Sequence, residues 1–177
     1  ITSFDLFHEI KLIAILSNIS IGPSNREQIK KLALQSLIQR RIKTSEVERL
    51  KIENFNKRDL NNLIFQTSKN LGLDPDGLKK LLKKNGIKYE DLVNRYKTDL
   101  KWNSMIFNIY KNRISLNTVE IEDKIKSEID KLENKNDEKL IETIKERIVN
   151  KEKDKKLKMF SNSHYSNLER TIQIKFL

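Results

Sequence analysis

The chain has 177 residues, 37% of them hydrophobic and 34% charged, with a formal net charge of +11 and no cysteine. It is long enough to bury a core without staples, and the missing cysteines exclude disulfides, thiolate metal sites and cysteine nucleophiles. Four glycines and two prolines are too few for a many-turned sandwich or barrel, and no apolar run approaches the roughly 20 residues of a membrane span, so the composition predicts a mainly helical chain with wide solvated faces.

Thr2, with Asp5 three residues on, resembles a helix-start capping box. Leu6, Phe7, Ile10, Ile13, Ala14 and Leu16 keep helical spacing behind it, and residues 19–23 interrupt the pattern. Ser24 and Glu27 read as a second box. From there Ile29, Leu32, Ala33, Leu37, Ile38, Ile42, Val47 and Leu50 trace one face of a helix over residues 25–50. At about 1.5 Å per residue it is roughly 40 Å long, which suits a scaffold for other helices. Asn56 and Asp59 repeat the start signal for a helix running to residue 70.

The stretch 71–96, LGLDPDGLKKLLKKNGIKYEDLVNRY, holds three of the four glycines. Gly72 stands where a helix C-terminus wants a left-handed residue, Asp74 is a natural N-cap and Pro75 a natural first helical residue. Leu78, Leu81 and Leu82 give a short amphipathic helix that Asn85-Gly86 ends. The glycines are punctuation between helices. No strand and no G-x-x-x-x-G-K-[ST] string supports a phosphate loop, and Asp74–Gly77 lacks the further ligands of a calcium loop. From Tyr89 a helix runs to about residue 112, with Leu92, Val93, Tyr96, Leu100, Ile106 and Tyr110 as buried positions.

Asn117 and Glu120 start another helix, to about residue 133, and a Glu/Lys-rich helix follows with Leu140, Ile141, Ile144, Ile148 and Val149 as its apolar stripe. Residues 171–176, TIQIKF, alternate strictly and read as a short strand in need of a partner. Charge is uneven along the chain. Residues 1–114 carry 22 basic and 12 acidic side chains, whereas residues 115–160 carry 12 of each. The break near residue 114 is the organisational boundary that charge suggests.

Neither His8 nor His164 has a metal or catalytic neighbour at a recognised spacing, so both read as packing or surface residues. No nucleophile signature appears, and no carboxylate pair stands apart as an acid/base couple. No metal or cofactor is indicated. Lys79, Lys80, Lys83 and Lys84 form one basic cluster and Arg40, Arg41 and Lys43 another. They read as solvated helix backs in preference to a nucleic-acid patch, since aromatics are sparse and no nucleic-acid fold motif accompanies them.

Residues 1–17 (ITSFDLFHEIKLIAILS), 30–52, 71–102 and 112–125 (NRISLNTVEIEDKI), in that order, resemble the N-terminal module of SurA-type periplasmic chaperones. The most specific part is the glycine-framed short helix followed by G-I-K-Y-E-D-L at 86–92. Residues 146–177 resemble the closing helix and strand of that family. The resemblance implies a helical module over residues 1–131 and a C-terminal helix and strand over 132–177 that pack back on it. Only residues 132–145 separate the two matching parts, too few for a parvulin domain of roughly 100 residues, so prolyl-isomerase activity is not carried over and no enzyme is expected.

The implied function is that of an ATP-independent holdase in the periplasm, keeping unfolded outer-membrane β-barrel proteins or peptides in an apolar crevice. Its client-facing residues would be Ile13, Leu16, Leu63, Ile64, Phe65, Met105, Phe107 and Phe160. Ile1 in place of methionine suggests a signal peptide removed upstream, and the family's closing strand pairs with a strand just before the matching segment. A homodimer formed by strand or helix exchange is compatible with that arrangement. The alternative is a basic helical nucleic-acid-binding protein, whose affinity would fall steeply with salt.

Overall fold

The computed structural model describes residues 1–132 and 137–175. Among these residues the chain is helical: α1 (Ser3–Leu16), α2 (Arg26–Arg49), α3 (Lys57–Asn70), α4 (Pro75–Lys84), α5 (Tyr89–Tyr110), a 3-10 turn (Lys111–Arg113), α6 (Thr118–Ile129) and α7 (Glu138–Thr171). None of the helices is long and apolar enough to cross a membrane. The chain divides into two compact units, Ile1–Met105 with Asn167–Leu177, and Ile106–Ser166.

Helix starts follow the side chains that can satisfy free backbone donors. The Asp5 N–H donates to Thr2 Oγ1 at 3.1 Å and the Thr2 N–H to Asp5 Oδ2 at 2.9 Å, a complete capping box. Asn56, Asp74 and Asn117 cap α3, α4 and α6 by the simpler half of that device, their side chains accepting from the Arg58, Gly77 and Glu120 N–H groups without a bond returned to the cap. The expected Ser24 box is not formed. Asn25 occupies the N-cap of α2, and its side chain turns back onto the preceding loop. There it accepts from the Gly22 N–H and donates to the Ser20 carbonyl, both at 2.9 Å.

Four helices end alike, with a left-handed residue and a pair of reversed hydrogen bonds. Gly72 and Gly86 serve α3 and α4 at φ of 69° and 74°. Asn18 and Lys51 serve α1 and α2 at 51° and 52°, the second at a cost that a glycine would avoid. In each case the next residue closes the longer bond, as where the Ile87 N–H donates to the Leu82 carbonyl at 3.0 Å. That residue is apolar every time (Ile19, Ile52, Leu73, Ile87), so the turn also carries a side chain back toward the helix.

In the first unit, Leu12 of α1, Leu78 and Leu82 of α4, Ile87, and Leu92 of α5 form one buried cluster. Ile15, Leu16, Ile64, Leu71, Tyr89 and Tyr96 pack around it. Along α2, Ile29, Ala33, Leu37, Ile42 and Val47 are buried, but Leu32, expected on the same face, is exposed. In the second unit Ile121 of α6 meets Ile144 and Ile148 of α7. Ion pairs reinforce that seam. Lys124 contacts Glu152 at 2.8 Å, and Arg147 reaches Glu128 at 2.8 Å. The second unit also stacks Tyr110 flat on Phe160, at 4.7 Å between centroids, and bonds its hydroxyl to His164 Nδ1 at 3.0 Å.

The terminal strand expected from TIQIKF is not formed. Thr171 is the last residue of α7, its hydroxyl donating to the Leu168 carbonyl at 2.9 Å, and the Ile172 N–H donates to the same carbonyl at 3.0 Å. The helix thus claims the start of the segment. Residues 172–175 have no regular structure, and Phe176 lies outside the described residues. The Ile1 nitrogen donates to the Lys175 carbonyl at 2.9 Å, a single bond where a ladder would need several.

Two outcomes test this packing. Leu82→Ala removes a fully buried side chain and is expected to cost about 2–5 kcal/mol, read from urea unfolding. For Asp5, the hydrogen bond from the Thr2 backbone, with help from Arg41, holds the carboxyl below its ordinary range. Because the folded-state pKa is depressed, this contribution is complete above the unfolded value near about 3.9 and is lost as pH falls through the folded one. Asp5→Asn should therefore be less stable than the parent at neutral pH, with the gap narrowing below about pH 4. A gap that stays constant with pH would remove the ionised cap from the account.

Candidate functional site

Two clefts of the first unit present accessible chemistry, one apolar and one charged. The apolar cleft encloses about 560 Å³. Its walls are the C-terminal half of α1 (Ala14, Ile15), the loop that follows (Ile19, Ile21), Leu71 at the end of α3, and Leu81 of α4. The left-handed Asn18 aims this loop, since it reverses the chain and lets the Ile19 N–H reach the Ala14 carbonyl at 2.9 Å. Ile19 and Ile21 remain 47% and 46% exposed, so aliphatic carbon that solvent still touches shares the lining with Lys11, Asn18, Ser20 and Asn85. Lys11 stands at its edge, 4.6 Å from the Phe7 ring centroid and 3.5 Å from the Asn85 carbonyl.

The charged cleft encloses about 620 Å³ between α1, α2 and α5. Beneath it lies Glu9, only 1% exposed although it is an acidic side chain in the middle of an apolar helix. Its Oε1 accepts from Arg95 Nη1 at 2.8 Å and from the Ser36 hydroxyl at 2.7 Å, and Arg95 Nη2 donates onward to Ser36 at 3.2 Å. Oε2 lies 2.9 Å from Arg40 Nη1, an ion pair whose angle falls outside hydrogen-bond geometry. One carboxylate thus fastens α1 to α2 and α5 together. Around the mouth, His8 Nε2 faces Asp91 at 3.5 Å and Arg41 faces Asp5 at 3.6 Å.

The residues named from the sequence distribute unevenly. Leu16 and Ile64 pack on the core around Leu12 and Leu82, Ile13 is half-buried, and Met105 is fully buried, with no surface to present. Leu63 and Phe65 are exposed on α3, Phe65 by 53%. Phe107 and Phe160 belong to the second unit, Phe107 exposed beneath Lys111 and Phe160 stacked on Tyr110. The basic cluster of α2 is dispersed: Arg40 goes to Glu9, Arg41 to Asp5, and Lys43 to Asp99 at 2.6 Å. The lysines of α4 are exposed behind buried Leu78 and Leu82, as a solvated helix back requires.

Leu81 is read from the sequence only as one position of an amphipathic helix, and Ile15 and Leu71 carry no cleft signal; Ile19 and Ile21 stay hidden because they fall in an interruption, where apolar character has no period. Two isoleucines flanking a serine just before Gly22-Pro23 were the available signal. For Glu9, it was a lone acid within FHEIKLIAIL.

No protein-family model, curated protein or solved structure matches this chain.

Removing one partner of a buried ion pair leaves a charge uncompensated, at a cost of about 3–5 kcal/mol. Arg95→Met should destabilise by an amount in that range, and Glu9→Leu combined with Arg95→Met should recover part of it. Urea unfolding of the single and double variants decides the matter; additive losses would mean that the pair does not couple α1 to α5.

Proposed function

We propose that this chain is an ATP-independent holdase for unfolded outer-membrane β-barrel proteins, acting in the periplasm, as its resemblance to SurA-type chaperones implies. The observation that carries the reading is the open apolar cleft walled by Ile15, Ile19, Ile21, Leu71 and Leu81. Apolar side chains grouped around an opening give a partner's apolar side chain a place to be buried. Exposed aromatic side chains elsewhere in the same unit add to it, with Phe4 74% exposed and Phe7 and Phe65 more than half exposed.

The chemistry follows from the shape. A strand of an unfolded barrel presents alternate apolar side chains and unpaired backbone edges, which pair with one another when chains meet. An aliphatic cleft takes one or two of those side chains by burial alone and keeps the edge away from other copies. Burial is non-directional, so the selectivity is broad and each contact weak. No nucleotide is needed, because capture and release are a simple equilibrium.

The test is light scattering from a denatured outer-membrane β-barrel protein diluted into buffer with and without this chain. Suppressed aggregation at both low and high salt is expected, since burial depends little on ionic strength. Ile19→Ser with Ile21→Ser, in an exposed loop, should lose most of that suppression while leaving the unfolding midpoint nearly unchanged. Suppression that disappears with salt would instead favour the basic nucleic-acid-binding alternative, and suppression untouched by the loop variant would clear the cleft of the role.

A further inference from the structure

The charged cleft has a surplus that its own residues do not neutralise. Six basic side chains and three acidic ones line it, and Glu9 beneath is a fourth carboxylate, leaving two positive charges in excess without counting the imidazole of His8. The acids are largely committed. Glu9 is shared by two guanidiniums, Asp5 is held by the Thr2 cap and Arg41, and Asp91 faces His8. Among the described residues Lys88, Lys97 and Lys101 have no ion-pair partner, and Lys97 and Lys101 repel each other one turn apart on α5. Glu48 on the α2 wall offsets only one of them.

We propose that this cleft is a binding site for a small phosphorylated ligand, a phosphate monoester that completes the charge balance over Arg40, Arg95, Lys97 and Lys101. A monoester carries about −1.5 to −2 charges near neutral pH, which matches the excess. Guanidinium forks suit its oxygens, and Arg40 and Arg95 have donors left after holding Glu9, because each side chain offers five N–H groups. From α1, Glu9 pre-sets those forks on α2 and α5, so little ordering remains at binding. The volume of about 620 Å³ lies within the range of small-molecule sites, and the exposed ring of Phe4 supplies apolar surface for the ester's organic part. This site is separate from the aliphatic cleft and does not depend on the holdase reading.

A free phosphate ester and the headgroup of phosphatidic acid share this chemistry. Isothermal titration of the full chain with phenyl phosphate reads the site, and sedimentation with phosphatidic acid vesicles distinguishes the source. One saturable site is expected, weakened about tenfold or more, near 1.4 kcal/mol, by Lys97→Ala with Lys101→Ala. Lys80→Ala with Lys84→Ala removes the same charge at the same spacing on α4 and should leave the affinity within about twofold, a difference of a few tenths of a kcal/mol. Co-sedimentation that phenyl phosphate displaces assigns the ligand to a headgroup; titration without co-sedimentation assigns it to a free ester. The proposal is overturned if no saturable binding occurs, or if both double variants weaken it equally.

Discussion

The carboxylate of Glu9 has almost no contact with solvent, and the arrangement of the first unit turns on how its charge is met. A lone buried carboxylate costs several kcal/mol after relaxation. Here two guanidiniums and a hydroxyl from α2 and α5 meet it, and they are themselves only partly buried. The geometry that satisfies Glu9 fixes the rotation of α1, and that rotation turns Leu12 and Ala14 inward while Phe4 and Phe7 face out. A helix apolar on most of its circumference has no strong preference of its own for a buried face. The charge makes the choice.

Both clefts follow from that choice. With Glu9 held inward, the N-terminal half of α1 forms one wall of the charged cleft, and its C-terminal half, with the loop beyond Asn18, forms a wall of the aliphatic one. The same ion cluster explains why the basic excess of the first 114 residues does not appear as one continuous patch. Arg40, Arg41 and Lys43 are spent on three different acids, and the α4 lysines point to solvent. What remains is a localised surplus along α5.

Much of the helical framework was legible in the sequence, because local chemistry decides helix ends. Thr2–Asp5, Asn56, Asp74-Pro75 and Asn117 act as read, and Gly72 and Gly86 adopt the left-handed conformation expected of them. Even Gly77 has a local reason, since a Cβ there would lie 2.9 Å from the Asp74 oxygen that caps α4. Reading failed where tertiary contacts decide. Asn25 displaced Ser24 because its amide serves two backbone groups of the loop, and Lys51 takes a left-handed position that its side chain does not advertise. Alternation in TIQIKF is a strand signal only if a partner supplies the ladder, and the helix reaches its first residue before one does. Glu9 was invisible because its partners lie 27 to 86 residues away.

That last separation bears on how the chain is made. Ribosomes extend a polypeptide by roughly 5–20 residues per second, so Arg95 follows Glu9 by roughly 4–17 s. Through that interval a nascent α1 holds a carboxylate on what will become its buried side, with Arg40 and the Ser36 hydroxyl of α2 as its partners. The stretch 167–177, which belongs to the first unit, is synthesised only after all of the second. The first unit is therefore completed only when synthesis has passed through the second, with Glu9 gaining its last partner on the way.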